Sequence, residues 1–129
     1  MNPAILLWLL TLLSTPPADP PQFHRLPKTD SHVHLCTFDS AFVQQARADR
    51  FRLVTILVGA TDSMAIQRQR QWAVAQADRF PGMVYWITTF SLQGFEEPGW
   101  QEKTIGRLQR DFAAGAVGVK VWKDIGMVI

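Results

Sequence analysis

The stretch Arg52-Leu53-Val54-Thr55-Ile56-Leu57-Val58-Gly59-Ala60 is a nearly unbroken β-branched and aliphatic run. Without polar alternation such a strand has no face to give to water. It suits a strand covered on both faces, as in a parallel sheet. Parallel neighbours cannot be joined by a tight turn and need a long crossover. The rest of the chain supplies matching parts. Lys28–Leu35, Met83–Leu92 and Val117–Lys123 read as three further strands, and patterned helical stretches separate all four.

Asp39 can cap the first helix, whose stripe is Phe42, Val43 and Ala46, ending near Arg50. Asp62 or Ser63 opens the second, where Ile66, Ala73, Ala77 and Phe80 keep to one face. Trp72 lies beside that stripe, and the intervening Gln and Arg residues are expected to face water. Pro81-Gly82 stops the helix. In the third helix Trp100, Ile105, Leu108 and Phe112 form the expected apolar face, with Gly115 as the stop. Strand and helix therefore alternate through a fourth strand, with connections long enough for right-handed crossovers. The expected fold class is α/β, of the (β/α) TIM-barrel type, truncated to about the first four β/α units. No Gly-x-Gly-x-x-Gly follows the first strand, and there is no phosphate-binding Gly-Lys-Ser/Thr. This argues against a nucleotide-binding doubly wound sheet. No nucleophile-elbow pattern occurs either.

The first strand carries the chemistry. In Lys28-Thr29-Asp30-Ser31-His32-Val33-His34-Leu35, strict alternation puts Asp30, His32 and His34 on one face, with alternate residues about 6.6–6.8 Å apart. Two imidazoles so spaced can lean towards one ion, which sits about 2.0–2.1 Å from each ligating nitrogen. Asp30 is close enough to orient a ligand ring from behind. A lone His-x-His is equally compatible with two polar residues on an edge strand; the repeated strand–helix context favours the metal reading. Lys120 interrupts an apolar run, where a lysine is costly unless paired or modified. Lys123, nearer the strand end, could reach a substrate anion. Barrel chemistry gathers at the C-terminal strand ends. There Thr88 and Trp100 are candidates to touch substrate, Thr88 being as readily a plain strand end. Cys36 and the carboxylates Glu96 and Glu97 are read as loop residues, and His24 as a surface histidine.

Composition narrows the classes. The 129 residues are 47% hydrophobic, ample for a core. A net charge of +2, with no dense basic run, gives no nucleic-acid surface. Arg68, Arg70 and Arg79 are spread along one helix and read as a solvated face. One cysteine precludes an internal disulfide. Residues 1–21 read as a signal peptide or hydrophobic leader with a Pro-rich linker. The apolar run Ala4–Leu13 is too short for a stable membrane span of about 20 residues. A working leader would send the protein to the periplasm or outside the cell; otherwise it stays in the cytoplasm. The chain ends directly after a strand pattern, so residues 22–129 are expected to be the N-terminal half of a barrel. Such a half leaves open sheet edges through which it can self-associate.

Asp30-Ser31-His32-Val33-His34, with Gly118-Val119-Lys120, resembles the amidohydrolase superfamily of metal-dependent TIM-barrel hydrolases. The segments Thr88–Leu92, Pro98–Lys103 and Val119–Met127 are similar to members of its amidohydrolase-related branch. The resemblance implies that His32 and His34 are first-strand ligands to a divalent metal, usually zinc. It implies a small-molecule substrate and a metal-bound water that attacks a C–N, C–O or similar bond. In binuclear members a carboxylated lysine of the fourth strand bridges two metals, and Lys120 holds the matching place. One-metal members of the branch do without that lysine. The remaining ligands, and the aspartate that handles the water proton, come from strands five to eight in the family and have no counterpart among these 129 residues. The isolated chain is accordingly expected to have little or no activity. Other readings stay open: a metal-dependent decarboxylase of the same branch, a TatD-like deoxyribonuclease, which would favour glutamate where Lys120 stands, and a non-catalytic fragment without metal.

Overall fold

The computed structural model describes residues 22–59 and 61–122. Residues 1–21, expected above to be a leader, together with Ala60, Lys123 and the residues after it, lie outside the described part. After a 3₁₀ turn at Phe23–Arg25, the order is β1 (Lys28–Val33), α1 (Ala41–Ala48), β2 (Phe51–Ile56), α2 (Ser63–Arg79), β3 (Val84–Thr89), α3 (Trp100–Ala113) and β4 (Gly118–Lys120). The four strands pair in parallel in the order β1-β2-β3-β4 and form a curled half-barrel sheet with helices between strands. Among the described residues no helix is long and apolar enough to cross a membrane.

Register and packing show which face is covered. Leu53 pairs with Val84 and Thr55 with Trp86, so these four share one side of the sheet. Leu53 and Val84 pack with Val43 and Ala46 of α1 and with Leu35. Leu57 and Trp86 pack with Ile66 and Ala73 of α2 and with Ala116. Thr88, two residues beyond Trp86, meets Asp111 of α3. All three helices therefore sit on one face. Sequential parallel strands joined by crossovers of one hand require this, and a doubly wound sheet would split its helices between faces.

The local signals work much as their chemistry dictates. Asp62 caps α2 by accepting from the Ala65 amide at 2.9 Å. Gly82 and Gly115 take φ of +74° and +93°, the left-handed turns that follow α2 and α3 and that a side chain would strain. At α1 the cap is displaced by one residue. Ser40 occupies the N-cap, while Asp39 accepts from the Ala41 amide at 2.7 Å from just outside the helix.

Two expectations fail on helix faces. Ile105 and Phe112 of α3 are 46% and 48% exposed, whereas Asp111, beside Phe112, is 1% exposed. The helix is turned so that the carboxylate faces the sheet. Its Oδ2 accepts from the Thr88 hydroxyl, and its Oδ1 accepts from Nε of Arg70 on α2. A buried charge is tolerated when paired and hydrogen bonded, and these contacts tie α3 to β3 and to α2 together. Arg70 is accordingly not part of a purely solvated face; its guanidinium also stands over the Trp86 ring at 5.9 Å. On α2, Gln76 is 1% exposed rather than facing water.

Replacing Asp111 by Ala strips partners from a buried hydroxyl and an arginine. The expected cost is about 3–5 kcal/mol, the range for breaking a buried ion pair. Thr88→Val, which removes one hydrogen bond, is expected to cost only about 1 kcal/mol. Urea denaturation of the two variants checks the order.

Candidate metal centre on the uncovered face

The face away from the helices carries the histidines. Simple alternation does not hold along β1. Between Asp30, which pairs with Leu53, and Val33, which pairs with Thr55, β1 advances three residues while β2 advances two. This is a β-bulge, which re-aims side chains and is common at barrel rims. Val33 and Leu35 consequently join the helix-side core, and His32 and His34 project from the other side. Asp30 is not carried along with them. It pairs with the helix-facing Leu53, and its Oδ1 accepts from the backbone amide of His32 at 3.0 Å. The carboxylate braces the bulged main chain beneath the histidine.

The two imidazoles are neighbours, with ring centroids 5.2 Å apart and planes at 82°. His34 follows Val33 and so comes level with Ile56, and its Nδ1 lies 2.9 Å from the Ile56 carbonyl oxygen. A carbonyl can only accept, so Nδ1 carries the proton and a neutral ring leaves the Nε2 lone pair free. This is how a metal-ligating histidine is usually oriented, with one nitrogen tied to a carbonyl and the other presented to the ion. Both rings are exposed. The pair fits a metal as a partial donor set. Among the described residues no group of three or more His, Cys, Asp or Glu side chains could hold an ion. A catalytic zinc normally takes three protein ligands.

The other predicted residues are dispersed. Thr89 pairs with Lys120, and Ile56, Ile87 and Gly118 align one row below, so Lys120 stands on the histidine face. Three strand spacings separate β1 from β4, about 14 Å measured along the sheet. The Lys120 ammonium lies 4.9 Å from the Trp122 ring centroid. Thr88 belongs to the opposite face, is 0% exposed and is engaged with Asp111. Trp100 does stand beyond the C-terminal end of β3. There its Nε1 donates to the Ser91 carbonyl at 3.1 Å, and its ring meets Phe90 and Phe95 edge-on. Its visible work is to fold the loop after β3. Cys36 is exposed, and Lys123 lies outside the described residues.

Three side chains clamp the loops along this rim, and two of them carry no motif. Gln76 donates through Nε2 to the carbonyls of Thr37 and Asp39 at 3.0 and 2.8 Å, holding the loop after β1. Gln69 accepts from the Val58 amide at 2.8 Å and donates to the Val58 carbonyl at 2.7 Å, holding the exit of β2. Trp100 serves the loop after β3. The one signal for the glutamines is their spacing: Gln69 and Gln76 are seven residues apart, on the same side of α2 as Ile66 and Ala73.

No family model matches this chain, and comparison with curated proteins and with solved structures found no match.

His34 is expected to remain the Nδ1–H tautomer when neutral. Long-range ¹⁵N–¹H correlation spectra distinguish the two tautomers, and a neutral ring protonated on Nε2 would contradict the Ile56 contact.

Proposed function

We propose that this chain contributes the first four β/α units of a TIM-type barrel belonging to a metal-dependent hydrolase of the amidohydrolase-related kind. The observation that carries this reading is the paired imidazoles of His32 and His34, with His34 locked through Nδ1 so that Nε2 is free. The half-barrel sheet supports it as well, because its uncovered face is where a closed barrel concentrates inward-pointing side chains.

On this reading His32 and His34 hold a divalent metal; imidazole nitrogens suit zinc among other first-row metals, and zinc is what the resemblance to the amidohydrolases implies. When bound, such a metal would lower the pKa of a coordinated water to near 7 and polarise a carbonyl or similar group. The protein's own part is positional. Asp30 fixes the bulged amide of His32, the Ile56 carbonyl fixes the ring of His34, and Gln76 and Gln69 hold the loops that begin beyond both. Further ligands and a group to manage the water proton would have to join His32 and His34, because among the described residues no set of three His, Cys, Asp or Glu side chains could hold an ion. Lys120, on the same face, is the place a bridging lysine would take in a two-metal version of the site.

The test is metal binding by the whole chain. Cobalt(II), followed by its visible absorption, is expected to bind in about one equivalent. His32→Ala and His34→Ala are each expected to weaken binding by about tenfold or more, since a lost charge-assisted or coordinating partner costs at least ~1.4 kcal/mol. Equal binding by the wild type and both variants would reject the site.

A further inference from the structure

On the helix side a second cluster serves none of this chemistry. A cleft of about 420 Å³ opens between α2 and α3, lined by Arg70, Arg107, Arg110 and Asp111 with the amides of Gln67 and Gln71. Its charge is unbalanced. Asp111 is the lone acid among the described residues of the lining, and it is already committed to Arg70 and Thr88. Its Oδ2 is 4.0 Å from Nε of Arg107, a loose contact. Three guanidiniums against one carboxylate leave a formal charge of +2.

Arg107 shows that the set is incomplete. Its Nη2 is buried and has no hydrogen-bond partner among the described residues. Such groups are rare because a buried donor without an acceptor loses its hydration uncompensated. Burial pushes the Arg107 guanidinium below its usual value. Asp111 opposes this, and the neighbouring charges of Arg70 and Arg110 reinforce it. The arginines are thus close enough to repel one another, and Asp111 alone does not neutralise them. Holding like charges together beside a cleft is unfavourable unless an anion joins them.

We propose that the α2–α3 cleft is a binding site for a small dianion, a phosphate group carried by a soluble ester or pyrophosphate. Guanidinium forks match phosphate oxygens two at a time, and a dianion balances the surplus charge. The volume admits a phosphorylated small molecule rather than a bare ion alone. Gln67 and Gln71 also line the cleft from α2. The site lies on the helix-covered side of the sheet, opposite the histidines, so it stands or falls independently of the metal proposal.

Pyrophosphate titrated calorimetrically into the full chain, with sodium chloride matching ionic strength, is expected to give saturable one-to-one binding. Arg107→Gln and Arg110→Gln are each expected to weaken it about tenfold or more. Arg68→Gln, on α2 but outside the cleft, is expected to leave it unchanged. Arg110 is exposed, so its variant keeps the test informative if Arg107→Gln does not fold. Absence of saturable heat, or equal weakening by Arg68→Gln, would overturn the proposal, the latter by showing only diffuse attraction to a cationic surface.

Discussion

A parallel sheet has two faces, and among the described residues one of them is closed by all three α-helices. Strands follow one another in the order β1-β2-β3-β4, and each crossover returns its helix to the same side. Trp86, Leu53 and Leu57 are sealed beneath those helices. The opposite face receives whatever polar groups alternation and bulging deliver to it. The position of the histidines is therefore a consequence of chain handedness before it is a matter of ligand chemistry.

The bulge in β1 couples the two requirements. Val33 and Leu35 must enter the core to support α1, and with strict alternation the residues between them would keep Asp30 on the histidine side. The extra residue releases Asp30 from that row and lets its carboxylate close on the His32 amide. A carboxylate within reach of a ligand ring draws the proton position and the metal charge towards itself. One that grips the main chain instead sets direction without altering the ring's electronics. His34 takes its own contact from a backbone carbonyl, so its ring is aimed by the main chain of β2, while the Asp30 contact fixes the main chain that carries His32.

Much of the fold was legible because it rests on local rules. The apolar run at Arg52–Ala60 announced a strand of a parallel sheet, although helices cover only one of its faces. Asp62 announced its helix cap, and Pro81-Gly82 and Gly115 the turns. What was not legible came from pairings distant in sequence. Arg70 and Asp111 are 41 residues apart. Taken singly, one looks like a solvated arginine and the other like a break in an apolar helix face. Gln76 reaches Thr37 across 39 residues, and nothing in a glutamine distinguishes a loop clamp from a wetted surface. The bulge was hidden for a related reason: register is a property of two strands, and periodicity is read from one. Thr88 shows the consequence. Its place near a strand end was evident, but the side it faces depended on a partner in α3.

The two polar clusters differ in how their charge is held, and the difference follows from the layer each occupies. On the open face two imidazoles stand exposed beside backbone groups, where the proposed cation would be met. Between α2 and α3 the groups are permanent cations around one buried acid, where the medium strengthens attraction and repulsion alike. Asp111 makes that crowding tolerable and also fixes α3 against β3, so structural and electrostatic roles meet in one carboxylate. A helix that turns Asp111 inward and leaves Ile105 and Phe112 half exposed has given up apolar burial for that contact. The exchange is intelligible if α3 is held chiefly by its polar anchor, with the arginines gathered around it left to meet an anion from solution.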